Sequence, residues 1–355
     1  MRTDRDSPEQ PVRIRRTVAF GRAPPSSPRA ALLTSRARPP TVTVIIALAP
    51  PRAMEIVVFG AGSLGSLVGG LLAREHDVTL VAREAHARAV SGSGLRLEGA
   101  VADAPERVFP AATTDGTGLE ADLAVVTVKS FDTVAAAERL ATGTFDGVLS
   151  LQNGMGNEAT LAARLEVPVL AGTATYGAVL REPGVVDCTG VGEVVFGARA
   201  GGPSALAARL GEAFAAAGLE TTVAEDMPRR LWEKLAVNAG INPITALTAT
   251  ENGAVLEDPA DVLSRAAVRE TARVARACAV PLSNREAQSA MEAVASATAT
   301  NTSSMRQDVL AERRTEIDAI NGHVVDRAAE LGIEVPTNRT LTTLVRAWER
   351  GRDVR

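Results

Sequence analysis

Only two cysteines, Cys188 and Cys278, occur in 355 residues. Two thiols cannot build a disulfide framework or a cysteine-rich metal site, and they read as small, semi-buried side chains. The three histidines, His76, His86 and His323, form no pair at ligand spacing, so a histidine-based metal centre is not expected either. No apolar run approaches the ~18 residues of a membrane span. The longest, 42–49, lies between Pro39-Pro40 and Pro50-Pro51. Lysine is the most telling scarcity. Of 38 basic residues, 36 are arginine, which leaves only Lys129 and Lys234. A surface cation can be of either type, so a chain this poor in lysine invites a reason for each one it keeps. One chemical reason is that an ammonium can release a proton at accessible pH, whereas a guanidinium cannot.

The composition is that of a soluble globular protein, with 46% hydrophobic and 23% charged residues. The length suggests two domains. The formal charge of −4 is unevenly spread. Ten arginines against Asp4, Asp6 and Glu9 give residues 1–53 a net +7, leaving −11 for the remainder. A basic nucleic-acid-binding body does not fit this distribution. Residues 1–40 are rich in Arg, Pro and Ser without periodicity and are expected to be disordered. Arg15-Arg16 faintly resembles a twin-arginine signal, but no apolar stretch follows it as such a signal requires. Met54 is followed at once by a strand pattern. Residues 1–53 therefore read as an extension outside the fold, either a flexible tail or sequence upstream of the true start.

The strand pattern Glu55 to Phe59 runs into Gly60-Ala61-Gly62-Ser63-Leu64-Gly65, then a helix-compatible stretch 66–74 and a second strand 78–82. Strand, G-x-G-x-x-G, helix, strand is the context of a dinucleotide-binding fingerprint. Gly60 permits the tight turn, Gly62 the approach of a pyrophosphate, and Gly65 close helix–strand packing. The pyrophosphate is expected on the helix N-terminus, where N–H groups are unpaired. After the second strand, Arg83 favours NADP(H), because arginine can pair with a 2′-phosphate; Glu84 keeps NAD(H) open. Strands at 123–128 and 148–151 end at Lys129 and at Gln152-Asn153-Gly154-Met155-Gly156. Ligands in open α/β sheets lie beyond such carboxyl ends, so Lys129 and Asn153 are candidates to line the crevice. Further strands are expected at 169–171, 193–196 and 221–223, with a helix at 204–217. The first domain is then expected to span 54–225.

From Pro228 the pattern turns helical. In a helix over 229–241, Lys234, Asn238 and Asn242 form one polar row within ~80° on an otherwise apolar helix. Burying such a row is costly without partners. Pro243 is expected to end or kink this helix. Further helices are expected at 259–279, 285–298 and 340–349. Ser304 with Gln307 fits a capping box, which does not preclude a ligand contact by Ser304. A straight helix from there would put Glu316 roughly 18 Å beyond Ser304. The fold expected is thus α/β: an N-terminal Rossmann domain, then an all-helical C-terminal domain over 226–350.

The blocks Trp232 to Asn238, Ile241 to Leu247, Gln152 to Gly156, Asn301 to Asp308 and Thr315 to Gly322 resemble ketopantoate reductase (2-dehydropantoate 2-reductase) in order and across 54–350. The resemblance implies NADPH-dependent reduction of 2-dehydropantoate to (R)-pantoate, in pantothenate and coenzyme A synthesis, in a cleft between the two domains. It implies Lys234 as catalytic acid. It implies Asn153, Asn238, Asn242, Asn252 and Ser304 as substrate-binding residues. Gly60 to Gly65, Lys129, Asn153 and Ala178 would line the cofactor, and Glu316 would lie near it and assist catalysis, orienting either Lys234 or the cofactor ribose. Gln152 stands where the family has histidine. A cytoplasmic enzyme acting on a small molecule follows, with no nucleic-acid or membrane partner, and the apolar helical half is compatible with a homodimer. Two other readings stay open: another two-domain β-hydroxyacid or 2-keto acid dehydrogenase, and a non-catalytic NADP(H)-binding redox sensor.

Overall fold

The computed structural model describes residues 53–355, which belong to one compact unit. The expectations for the N-terminal extension, except at residue 53, lie outside the described residues.

The chain opens with β1 (Glu55–Phe59), α1 (Ser63–Leu72), β2 (Asp77–Val81), α2 (Glu84–Ser93), β3 (Leu95–Gly99), β4 (Glu106–Val108), β5 (Ala111–Thr113) and β6 (Glu120–Val126). It continues through α3 (Thr133–Leu140), β7 (Thr144–Ser150), α4 (Asn157–Ala162), β8 (Val169–Ala174), β9 (Gly177–Glu182), β10 (Val185–Gly190), β11 (Val194–Ala198), α5 (Ala205–Ala216) and β12 (Thr221–Val223). Eight strands form one sheet in the order β12-β11-β8-β7-β6-β1-β2-β5. From β5 to β8 every pairing is parallel, whereas β11 runs antiparallel to β8. Helices cover both faces of the central strands, which is why β1 is apolar at consecutive positions rather than alternate ones. Ile56, Val57, Val58 and Phe59 are all buried. Each such aliphatic or aromatic side chain contributes roughly 1.5–3 kcal/mol on burial.

The order of strands sets the site. From β1 the chain steps to β2 on one side and later returns to β6 on the other. Helices on either side of that reversal diverge and leave a crevice at the carboxyl ends of β1 and β6.

A second sheet, β4-β3-β10-β9, does not follow from the hydrophobic pattern of the sequence. Its strands are short and half-polar, and none of the four falls where the sequence analysis expects a strand. The sheet packs on the outer side of α1, which explains why Leu67, Val68, Leu71 and Leu72 are all fully buried. Buried His86 ties these parts together. Its Nδ1 accepts from the Gly184 N–H at 3.0 Å, which places the proton on Nε2, 2.9 Å from Ser66 Oγ of α1.

The helical half comprises α6 (Met227–Thr248), α7 (Ala260–Ala277), α8 (Asn284–Ala297), α9 (Ser304–Leu310), α10 (His323–Glu330) and α11 (Pro336–Gly351). α6 is its axis, packed against α7, α8, α9 and α11. Trp232, Leu235, Ala236, Ala239, Ile241 and Ile244 of α6 enter the core of this half.

The helices depart from the sequence reading in three places. Pro243 does not end α6, which runs to Thr248. A proline there frees the carbonyl of Ala239, one turn earlier. The buried Asn321 amide donates to that carbonyl at 3.1 Å, so the lost backbone bond is replaced from 82 residues away. Next, no continuous helix joins Ser304 to Glu316. α9 stops at Leu310, Glu312 takes a left-handed φ of 48°, and a single π-helical turn follows at Asp318–Gly322. The 18 Å separation therefore does not arise. Finally, the N-cap of α9 is Ser303, not Ser304: the Ser303 side chain accepts from the Arg306 N–H, and Gln307 donates to the Thr302 carbonyl. Ser304 is thereby released from capping and stands exposed at the first helical position.

Candidate functional site

At the carboxyl end of β1 the loop Gly60–Gly62 leads into α1. Gly60 has a φ of 104°, and a Cβ there would come within 2.6 Å of the Val128 backbone nitrogen. A Cβ on Gly65 would come within 2.4 Å of the Gly60 carbonyl oxygen and of Thr127 Oγ1. Neither contact can be relieved without moving backbone, so both positions require glycine. No side chain caps the N-terminus of α1. Its first N–H groups and positive dipole end are left for an anion. Ser63 Oγ accepts from the Leu180 N–H of β9, the strand that also carries Ala178. These residues fit a dinucleotide: the backbone is close-packed, uncapped and unobstructed where a pyrophosphate would rest. A Gly65→Ala chain is expected to lose cofactor affinity at least tenfold in a fluorescence titration while keeping its secondary structure by circular dichroism. Unchanged affinity would contradict the cradle.

Arg83 follows β2, is exposed, and is the N-cap residue of α2. Its neighbour Glu84 is engaged by Arg88 at 2.6 Å across one helical turn. The carboxylate that could have favoured a ribose hydroxyl is thus already paired with a cation.

Lys129, at the end of β6, meets two acids from the helical half. Its Nζ lies 2.6 Å from Asp308 Oδ2 and 3.4 Å from Glu316 Oε2. Glu316 Oε1 also accepts from the Ser130 N–H at 3.1 Å. Burial works against the charge on Lys129, but Glu316 and Asp308 outweigh it and hold its pKa above the usual lysine value. Arg314 stacks over the ring of Phe131, 4.5 Å from its centroid, which adds a cation–π contact to the same junction. Asp308 is buried and is not singled out as a site residue in the sequence analysis.

The loop after β7 is pinned from both sides. Buried Gln152 donates to the Val128 carbonyl at 3.0 Å and to Thr133 Oγ1 at 2.8 Å. The Met155 N–H donates to the Ala319 carbonyl of the π turn at 3.0 Å. Between them, Asn153 is half-buried at the strand end. An amide in the place of an imidazole at Gln152 thus keeps the loop fastened.

α6 presents Lys234, Asn238 and Asn242 in one row; the first two are half-buried and the third is buried. Lys234 Nζ donates to the Ala174 carbonyl at the end of β8, at 3.0 Å. Burial lowers its pKa to about 8, against the pull of Glu316 and Glu158. Glu158, on α4, is buried and was not singled out in the sequence, where it reads as an ordinary acid in the first turn of a helix. Asn252 lies in a short 3₁₀ segment at 252–256, turned so that its Nδ2 donates to Thr298 Oγ1 at 3.0 Å. Its Oδ1 is buried without a partner among the described residues. The structure thus joins Lys129 and Glu316 by direct contact, sets Asn153 on a loop fastened to the π turn, and places Lys234 within electrostatic range of Glu316. It shows no direct contact of Asn252 or Ser304 with that group. Among the described residues, no group of three or more His, Cys, Asp or Glu side chains could hold a metal ion.

Comparison with known proteins matches residues 56–201 to the family described as ketopantoate reductase PanE/ApbA, and residues 226–349 to its C-terminal part. A 2-dehydropantoate 2-reductase of Halobacterium salinarum is 46% identical over 306 residues, covering 84% of this chain and 99% of that protein. One from Archaeoglobus fulgidus is 38% identical over 302 residues, covering 84% and 99%. A crystal structure of a ketopantoate reductase of this family from Ralstonia eutropha superimposes with a TM-score of 0.78 at 36% identity, covering 84% of this chain and 100% of that one.

Proposed function

The chain belongs to the ketopantoate reductase family, and from that premise we propose that it is an oxidoreductase reducing 2-dehydropantoate to (R)-pantoate with NADPH, for pantothenate and coenzyme A synthesis. The observation that carries this reading is the Lys234 ammonium, held at the Ala174 carbonyl in the same helical row as two asparagines. Bound NADPH would supply the hydride that reaches the ketone carbon. As negative charge develops on the ketone oxygen, Lys234 is placed to stabilise it and then to give up its proton. A pKa of about 8 suits both tasks: the group is still an ammonium at pH 7, yet it is a readier acid than an ordinary lysine.

Asn153, Asn238 and Asn242 donate amide hydrogens to the substrate carboxylate and hydroxyl without any ionisation cost, with Ser304 and Asn252 completing the pocket. Glu316 acts on Lys234 through charge; its hydrogen bonds go to Lys129 and Ser130, so it holds the end of β6 in place. Gly60 to Gly65 and Ala178 receive the dinucleotide, and Arg83 receives the 2′-phosphate. We assign residues 54–225 to cofactor binding and 226–350 to substrate binding and catalysis. No helix among the described residues is long and apolar enough to cross a membrane; we propose a cytoplasmic enzyme that works as a homodimer. The reading is tested by following NADPH oxidation with 2-dehydropantoate, in parallel with NADH.

A further inference from the structure

Glu158 is a buried acid to which the mechanism above gives no task. It sits on α4 immediately after the Asn153–Gly156 loop, is 4% exposed, and its Oε1 has no hydrogen-bond partner among the described residues. An unpaired carboxylate oxygen in the interior is expensive, and a surface-type helix acid would normally turn to water. α4 packs against β8, the strand whose last carbonyl receives the Lys234 ammonium. The carboxylate and the ammonium therefore approach the same strand, the first from α4 and the second from α6.

We propose that Glu158 is a positioning residue for Lys234: its buried negative charge holds Lys234 in the ammonium form up to the pH at which the enzyme works. This rests on Lys234 being the catalytic acid. A lone lysine in such a place would lose its proton through desolvation and could not protonate the product. Two acids oppose that loss through their charge, Glu316 from the segment before the π turn and Glu158 from α4. Glu316 already neutralises Lys129 and accepts from Ser130, so its charge is shared. Glu158 forms no such ion pair, and its charge is available to Lys234.

The reciprocal influence is visible at Glu158. Burial raises its pKa, while its own backbone N–H, the Ser150 hydroxyl, Arg199 and Lys234 favour the ionised form. No contact within ion-pair distance joins Glu158 to Lys234. The ammonium thus stays free to reach substrate, which a tight salt bridge would prevent.

The test is the pH dependence of kcat/KM for 2-dehydropantoate reduction. Loss of activity on the basic side reports deprotonation of Lys234 in the free enzyme. Glu158→Gln keeps the shape of the side chain and removes the charge. Its basic limb is expected to move down by about 1 pH unit, the scale of one nearby opposite charge, with near-normal rates retained on the acidic side. Arg199→Gln alters an exposed residue, so folding is not at stake. It removes a cation that favours ionised Glu158, and the limb should move the same way by a smaller amount. An unmoved limb in Arg199→Gln and Glu158→Gln overturns the proposal, as does a Glu158→Gln chain equally impaired at every pH. If Glu158→Gln does not fold, an unmoved limb in Arg199→Gln alone overturns it. Failure of the underlying reading would look different: Lys234→Ala would then retain turnover, whereas here Lys234→Ala stays inactive whatever Glu158 does.

Discussion

Replacing Lys234 by alanine is expected to lower kcat for 2-dehydropantoate by at least ~10²-fold, the loss typical of a missing general acid. That corresponds to about 2.7 kcal/mol of transition-state stabilisation. The effect should fall on kcat more than on KM, because the ammonium is needed most when charge appears on the ketone oxygen. Lys234→Arg separates charge from proton transfer. The guanidinium keeps a positive charge but cannot give up a proton, so little activity should return. The side chain donates to a single carbonyl at the end of β8, and its loss leaves one unpaired acceptor at a half-buried position. The alanine chain should therefore fold, and a melting curve close to that of the parent would confirm it. A turnover within a few-fold of the parent would remove Lys234 from the chemistry.

Replacing Arg83 by alanine should weaken NADPH by about tenfold or more while leaving NADH nearly unchanged, read as KM for each cofactor. The reasoning is local. Arg83 stands exposed at the end of β2, where the adenosine ribose meets the sheet in this fold, and it contributes a charge-assisted contact only when a phosphate is present. Glu84, the acid that could instead serve a ribose hydroxyl, is paired with Arg88. Equal weakening of the two cofactors would take Arg83 off the phosphate and make it a general part of the adenosine site.

The first half of the fold could be read because its signals are short-range. An apolar pentapeptide, three glycines at fixed offsets and an apolar helix all lie within 20 residues, and two of the glycines answer a close contact in the structure, Gly60 against Val128 and Gly65 against the Gly60 carbonyl. The two lysines that the scarcity singled out both have partners in the structure: Lys129 bridges the sheet to the helical half, and Lys234 donates to the Ala174 carbonyl. What stayed hidden depends on distant partners. At Pro243 the bond that the local sequence shows as lost is replaced by Asn321, 82 residues beyond the Ala239 carbonyl it serves. The cap at Ser303 rather than Ser304 is decided by packing as well: Ser303 Oγ lies 2.7 Å from Thr245 Oγ1 of α6. The second sheet pairs β3 with β10, whose hydrophobic patterns are too short to stand out alone. Glu158 gave no signal at all, since burial of an acid in the first turn of a helix leaves no trace in composition.

Lys129 joins the sheet to the helical half, where Asp308 and Glu316 converge on its ammonium. Such a partly buried cluster is costly to assemble unless every member is paired, and each of these three is.

The most direct measurement of the central claim is the initial rate of NADPH oxidation by the purified full-length chain with 2-dehydropantoate, beside a panel of other 2-keto acids and with NADH in parallel. The account predicts saturable turnover with 2-dehydropantoate, a kcat/KM above that of the other 2-keto acids, and a preference for NADPH. Tight NADPH binding with no turnover on any of these acids would contradict it, and so would a clear preference for a different 2-keto acid.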